Sequence, residues 1–235
     1  MINLQAKDQC PKYVYKYCKH EDYEKYILHG GFKLGSLAYY RRAYELDGAG
    51  FGDPREGNHA LFAKGPAVLP NLNTSVNEQG GVVIDSFDNA FILSFSSEYS
   101  EEAHIKWFQR QGCGYDVCIK YRADELFLEI ADKLRFRIPW QREFFIGEPI
   151  YNNGNVDLRR DSYHPCQKYF FKSRDLAWEK EYRLVCSTPY LSSHKVKSVF
   201  PVAFQPLRRA LYVLIRIIVK LFIYTVVKCM LHMKQ

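Results

Sequence analysis

The sequence predicts an α+β protein in which mixed or antiparallel sheets are flanked by helices. Short runs rich in Val, Ile, Tyr and Phe recur along the chain, bounded by Gly, Asn and Ser, and read as strands. Segments with apolar residues at i, i+3 and i+4 lie between them and read as helices. The two kinds follow one another without the regular strand–helix–strand repeat of a doubly wound sheet. With 235 residues, 47% of them hydrophobic and 16% aromatic, the chain can bury one full core. Residues 1–205 are read as that single α+β domain, and residues 206–235 as a tail of different character.

Val14-Tyr15-Lys16-Tyr17 is the first strand signal. His20–His29 reads as a helix with Tyr23, Tyr26 and Ile27 on one face, ended by Gly30-Gly31. Phe32–Tyr40 alternates and reads as a second strand. The loop Glu45–Gly57 carries four glycines, at 48, 50, 52 and 57, with Asp47, Asp53 and Glu56 as acceptors. It suits a solvated turn or a substrate-facing loop, and it lacks the D-x-D-x-D-G spacing of a calcium site. Asn58–Gly81 has little periodicity and reads as irregular or hairpin-like.

Ala90–Ser96 is a central-strand signal, apolar until it reaches its serines. Ser100 caps a helix whose first turn holds Glu101 and Glu102, favourable against the helix dipole, and which runs through Trp107 and Phe108 to Gly112. Gly114–Tyr121 alternates as a strand. Asp124 opens an amphipathic helix with Leu126, Phe127, Ile130, Ala131 and Leu134 on one face. Glu143–Tyr151 reads as a strand leading to the turn Asn152–Gly154.

The chain is best organised around Tyr169–Cys186. There Ser173 is positioned to cap a short helical turn over Asp175–Trp178, and Glu181–Cys186 follows as a strand. Its alternation places Tyr182, Leu184 and Cys186 on one face and Glu181, Arg183 and Val185 on the other. A carboxylate and a guanidinium two residues apart on one face form either a structural salt bridge or the floor of a site.

The net charge of +7 is uneven. Residues 199–235 hold six cations and no acid, which leaves the rest of the chain at +1 and argues against a nucleic-acid-binding face on the main body. Seven cysteines, with no C-x-x-C pair and no apolar run in Met1–Cys10, fit reduced thiols in a cytoplasmic protein. Cys10, Cys18, His20, His164 and Cys166 lack zinc-ligand spacing, so no metal is expected.

In the tail, Ala210–Met233 contains 19 apolar residues out of 24, a length that can cross a bilayer. Arg216, Lys220 and Lys228 lie within it. Each central cation costs about 2.5–3.5 kcal/mol and each large aliphatic returns only about 0.3–0.6, so insertion sums to near zero. The pattern is therefore read as an apolar, basic helix lying on a membrane surface or partner, residues 208–235 being the contact, with peripheral attachment to the inner membrane as the consequence. A spanning helix ranks second and packing into the domain third; the Val and Ile content keeps edge strands as an alternative, and the change of character after Gln205 is of the kind a shifted reading frame produces.

Two resemblances follow from these motifs. Tyr15-Lys16-Tyr17, Asp53-Pro54, Ser94-Phe95-Ser96, the Trp107 helix and Trp178-Glu179-Lys180-Glu181-Tyr182-Arg183 together resemble a group of uncharacterised bacterial proteins sharing this order of motifs. The same Ser94-Phe95-Ser96 and Glu179-Lys180-Glu181 also resemble the S-T-S and E-x-E motifs of ADP-ribosyltransferases, with Phe95 in place of the threonine. The arginine or histidine of that family's first strand is matched here by Lys16.

The second resemblance implies that NAD is consumed as substrate and that Glu181, with Glu179, is catalytic. Lys16, Tyr39, Tyr40, Arg41, Ser94, Ser96 and Arg183 would hold the dinucleotide, Tyr39 or Tyr40 stacking on nicotinamide and Lys16 or Arg41 meeting the pyrophosphate. The acceptor would be a protein or nucleic acid, as for a toxin or defence effector. The competing reading is a non-catalytic interaction module tethered through its tail. P-loop, dinucleotide-fold, H-E-x-x-H and G-x-S-x-G signatures are absent from the sequence.

Overall fold

A computed structural model of the chain describes residues 2–4, 10–47, 53, 59–63, 67–69, 74–76, 81–85, 90–110, 113–137, 143–151, 155–157, 165–187, 199–203 and 211–216. The chain opens with β1 (Ile2–Leu4), β2 (Tyr13–Cys18), α1 (His20–Lys25), a 3-10 turn (Ile27–His29), β3 (Gly31–Ser36) and α2 (Leu37–Asp47). Four strands follow, β4 (His59–Ala63), β5 (Ala67–Leu69), β6 (Thr74–Val76) and β7 (Gly81–Asp85). The middle of the chain holds β8 (Ala90–Ser96), α3 (Glu101–Gln109), β9 (Val117–Arg122) and α4 (Ala123–Arg137). Next come β10 (Glu143–Gly147), β11 (Ile150–Tyr151), β12 (Asn155–Asp157), a 3-10 turn (Pro165–Tyr169) and β13 (Phe171–Lys172). A second 3-10 turn (Arg174–Glu179) then leads into β14 (Glu181–Ser187), β15 (Val199–Ala203) and β16 (Leu211–Arg216). The class is α+β.

The main sheet has nine strands, seven of them in the order β1-β10-β14-β8-β2-β9-β16. All its pairings are antiparallel except β1 with β10. One edge of β8 is forked. β2 meets it only at Tyr15 opposite Ser96, and β3 meets it at Ile92 and Phe91. β15 then pairs with β3.

The two faces of the sheet carry separate cores. On one face, Leu126, Phe127, Ile130, Ala131 and Leu134 of α4 pack on Tyr182, Leu184 and Cys186 of β14 and their neighbours. On the other, Leu37, Ile92, Phe145, Tyr169, Phe170 and Val185 cluster under α2 and the 165–169 turn. The alternation read for β14 thus places its residues as expected, and every residue of that strand is buried. Ser100 caps α3, its hydroxyl accepting from the N–H of Ala103 at 3.2 Å, and Gly30 closes the Ile27–His29 turn in the left-handed conformation at φ 75°.

Several expectations change. Leu37–Tyr40 is not strand but the start of α2, because the Ser36 hydroxyl accepts from the Tyr39 N–H at 3.0 Å and nucleates a helix where alternation alone reads strand. Ser173 makes no side-chain cap. Its own N–H is taken instead by Asp53 Oδ2 at 3.2 Å, and the turn that follows is 3-10. Glu143–Tyr151 divides between β10 and β11, which belong to different sheets. For Asn58–Gly81, by contrast, the hairpin alternative is the one found, with β5 pairing β6 and β4 pairing β7, both antiparallel.

In the tail, Leu211–Arg216 is not part of a helix. It pairs antiparallel with β9, whose backbone groups would otherwise form an open edge, and its Leu-Tyr-Val-Leu-Ile run favours that pairing. Residues 217–235 lie outside the described residues, as does most of the Glu45–Gly57 loop. Among the described residues, no helix is long and apolar enough to cross a membrane, no group of three or more His, Cys, Asp or Glu is arranged to hold a metal, and the cysteines are free thiols.

Leu184 is fully buried at the centre of the larger core. Leu184→Ala is expected to lower the unfolding free energy by about 2–5 kcal/mol, and Ser100→Ala by about 0.5–2, both read from urea unfolding curves.

Candidate functional site

The fork in the sheet opens onto a cavity of about 110 Å³. Its polar lining comes from neighbouring strands: Lys16 from β2, Ser94 and Ser96 from β8, and Glu181 and Arg183 from β14. Glu179 and Lys172 enter from just before β14, and Arg110 from the end of α3. Tyr15, Tyr17, Tyr40, Trp107 and Tyr115 supply aromatic wall.

Lys16 reaches the cavity by an unusual route. Alternation puts it on the face of β2 that carries Val14 and Cys18, over the ring of Phe95 at 5.6 Å. Its Nζ donates to the carbonyl of Ser94 at 2.8 Å, the position where the partners of β8 separate. The amine therefore occupies the fork itself. Burial pushes its pKa down from the ordinary lysine value, opposed in part by the negative charge of Glu181.

The carboxylates are set by the backbone of the 174–181 segment. Lys180, at φ 46°, is the sole non-glycine residue with positive φ among the described residues. It ends the 3-10 turn in the left-handed region, so the chain turns into β14 with Glu179 and Glu181 on either side of it, both reaching one lysine. Ser96 secures this turn. Its hydroxyl donates to the carbonyl of Glu179 at 2.6 Å, and the N–H of Ser97 donates to that of Lys180 at 2.7 Å.

A buried ionic chain results. Arg110 Nη1 donates to Glu179 Oε1 at 2.7 Å. Lys172 Nζ donates to Glu179 Oε2 and to Glu181 Oε2. Arg183 grips Glu181 in bidentate fashion, Nε to Oε1 at 2.8 Å and Nη2 to Oε2 at 3.2 Å, and its Nη1 donates to the carbonyl of Tyr169 at 2.8 Å. The signs alternate along Arg110–Glu179–Lys172–Glu181–Arg183, with Arg183 only 1% exposed and Glu181 4%. Burial alone would raise the Glu181 pKa, but Arg183 and then Lys172 outweigh it and hold the carboxyl well below the usual carboxylate range. Glu181 is an anion in the folded protein. Its N–H donates to the Tyr151 hydroxyl at 2.8 Å, and burial pushes that phenol up to about 12.

Among the residues singled out from the sequence, Lys16, Tyr40, Ser94, Ser96, Glu179, Glu181 and Arg183 are brought to this cavity. Tyr39 and Arg41 are not among its described lining. The helix that begins at Leu37 sends consecutive residues to different sides, and Tyr39 instead accepts from Lys33 Nζ at 3.0 Å. Tyr40 turns inward, its ring so close to Gly35 that an added Cβ there would stand 2.6 Å from it. Sequence reading missed Lys172, Arg110, Trp107 and Tyr115 as site residues. Lys172 stands in the Phe-Phe-Lys run before the glutamates, which is a signal of position though not of role. Arg110 and Tyr115 reach the site only through tertiary packing.

Chemically, the arrangement is a water-restricted, ionised carboxylate beside donor groups and aromatic surface, with four cations facing two anions among the described lining residues. The excess of cations suits an anionic ligand. Comparison with protein-family profiles, curated proteins and solved structures finds no match to this chain.

Two acid-linked effects follow. His104 is fully buried, lies against Tyr17 at 5.1 Å, and is pushed by burial from 6.5 down to about 4. A depressed base binds fewer protons folded than unfolded, so its contribution is complete above pH 6.5 and falls away between 6.5 and 4. Glu181, also depressed, contributes above its ordinary value of 4.5 and loses that contribution as pH drops below it. Urea midpoints should decline in both windows, and His104→Phe should flatten the first while leaving the second. Lys172→Met removes the cation that the two carboxylates share, leaving Glu179 with Arg110 and Glu181 with Arg183. It is expected to cost about 3–5 kcal/mol and to shrink the second decline, because the folded carboxyl pKa rises toward its unfolded value and less stability is left to lose below pH 4.5.

Proposed function

We propose that the chain is an NAD-consuming, ADP-ribosyltransferase-like enzyme whose catalytic carboxylate is Glu181. The observation that carries this reading is the convergence of Glu181, Ser94, Ser96 and Lys16, from three neighbouring strands, on one cavity. Departure of nicotinamide leaves positive charge on the anomeric carbon and its ring oxygen. An anion fixed beside that carbon, and already desolvated, stabilises the transition state more than the ground state. Arg183 keeps Glu181 ionised and oriented for this task, and needs no proton transfer to do so.

Ser96 acts one step removed. Its hydroxyl is committed to the Glu179 carbonyl and so fixes the turn that presents both glutamates. Tyr40 offers an aromatic face at the wall of the cavity, and Lys16 with Arg110 offers positive charge to the pyrophosphate. Glu179, whose two oxygens accept from Arg110 and Lys172, would have to release one of them to take a proton from the acceptor, a protein or nucleic acid. The setting proposed for this activity is the cytoplasm. Attachment to a membrane surface through residues 208–235 gains nothing from Leu211–Arg216, which pair as a strand.

Purified protein incubated with NAD, alone and with cell extract, is expected to release nicotinamide or label a macromolecule, as measured by chromatography and by transfer of labelled ADP-ribose. Glu181→Gln should reduce turnover by about 10²–10³-fold, with circular dichroism reporting an unchanged fold. Folded wild-type protein that neither releases nicotinamide nor labels any component of the extract would overturn the proposal.

A further inference from the structure

One group of large side chains belongs to neither hydrophobic core. Trp107 of α3, Tyr115 ahead of β9 and Trp178 of the turn before Glu181 form a contiguous aromatic cluster at the rim of the cavity, all three partly exposed. Trp107 lies 5.3 Å from Tyr115 and 5.1 Å from Trp178, centroid to centroid. Trp107 and Tyr115 line the cavity directly, and Trp178, not among its described lining, joins them through Trp107. Cations flank it, with Arg110 over Trp107 at 5.2 Å and Lys106 over Trp178 at 5.6 Å. Arg110 also reaches inward to Glu179, so it spans from the aromatic rim to the ionic interior.

Two indoles left partly in water forfeit apolar burial that a core position would give them. Their joining to a cavity with four cations and two carboxylates supplies what a nucleotide needs at its two ends: flat π-surface for a base and positive charge for phosphate. Sugar phosphates need only the second, and apolar ligands only the first.

We propose that this rim is a base-binding platform, on which the adenine of a nucleotide lies against Trp178 and Trp107 while its phosphates turn inward to Arg110, Lys172 and Lys16. The inference deepens the NAD reading, on which its choice of adenine rests, but it requires binding only and no bond cleavage. Trp178 and Trp107 select for the base. The cations select for the phosphate, and the order of the two from rim to interior fixes which end of the ligand enters first.

The chain has three tryptophans, two of them in this cluster, so intrinsic fluorescence reports the platform. Titration of the full chain with AMP and with ADP-ribose is expected to quench emission saturably, whereas ribose 5-phosphate and inorganic phosphate leave it unchanged. By calorimetry, Trp178→Leu should weaken ADP-ribose binding by about 5–100-fold with ribose 5-phosphate binding unaltered, and Trp178→Phe should restore most of the affinity. The platform is overturned if ribose 5-phosphate binds as tightly as ADP-ribose, if neither nucleotide quenches, or if Trp178→Leu binds ADP-ribose like the wild type. Saturable, Trp178-dependent quenching without nicotinamide release sustains the platform and removes only the transferase reading. Nicotinamide release without it does the reverse.

Discussion

Two carboxylates buried within reach of one lysine are the constraint on which the rest of this architecture depends. An isolated ionised glutamate inside a protein would cost so much solvation that it would protonate or drag the fold open. Here Glu179 and Glu181 remain in the interior because Arg110, Lys172 and Arg183 interleave with them, each pair within hydrogen-bond distance. Those cations come from α3, β13 and β14, so the helix, the short strand and the central strand must dock in one arrangement for the charges to balance. Hydrophobic burial on both faces of β14 supplies the bulk of the stabilisation, but it specifies position only loosely. The ionic chain removes that looseness near the cavity. A misregistered β14 would exchange the faces of Glu181 and Tyr182 and bury an uncompensated charge in the α4 core.

The same arrangement has a chemical corollary. Groups that must stabilise a developing charge act best when they need not reorient as the reaction proceeds. Glu181 is held from several sides, by a bidentate guanidinium, by an ammonium, and by the Tyr151 hydroxyl accepting from its backbone N–H. Lys180 shows that this fixity was not free of backbone cost. A lysine in the left-handed region forgoes about 1 kcal/mol or more that glycine would keep, and here that residue separates the two carboxylates.

Much of the strand framework was legible in the sequence, because period-2 patterning is strong where one face is apolar. Tyr182, Leu184 and Cys186 declared one side of β14, and Glu181 and Arg183 the other. Ser94 and Ser96 stood out as polar interruptions of an apolar strand. Tyr39 and Tyr40 were misread because their alternation with Leu37 and Ala38 suits a strand, while the competing signal, the Ser36 hydroxyl, is a single atom. The Ser173 cap failed for a related reason. Asp53, 120 residues earlier, took the N–H of Ser173, and no local pattern reveals a partner so distant. Arg110 and Tyr115 are hidden in the same way. In the tail, composition allowed helix or strand, and an available sheet edge at β9 decided the matter for Leu211–Arg216.

The forked edge of β8 has a consequence for how disturbances spread. Since Lys16 is rooted among the α4-side side chains yet ends at the Ser94 carbonyl, its stem ties together two layers that the sheet otherwise insulates. Repacking beneath Phe95, a buried side chain of the α4-side core, would tilt that stem and carry the ammonium with it. Variation in the hydrophobic layer is thereby coupled to the charge presented at the fork, and the two cannot drift independently over the history of the sequence.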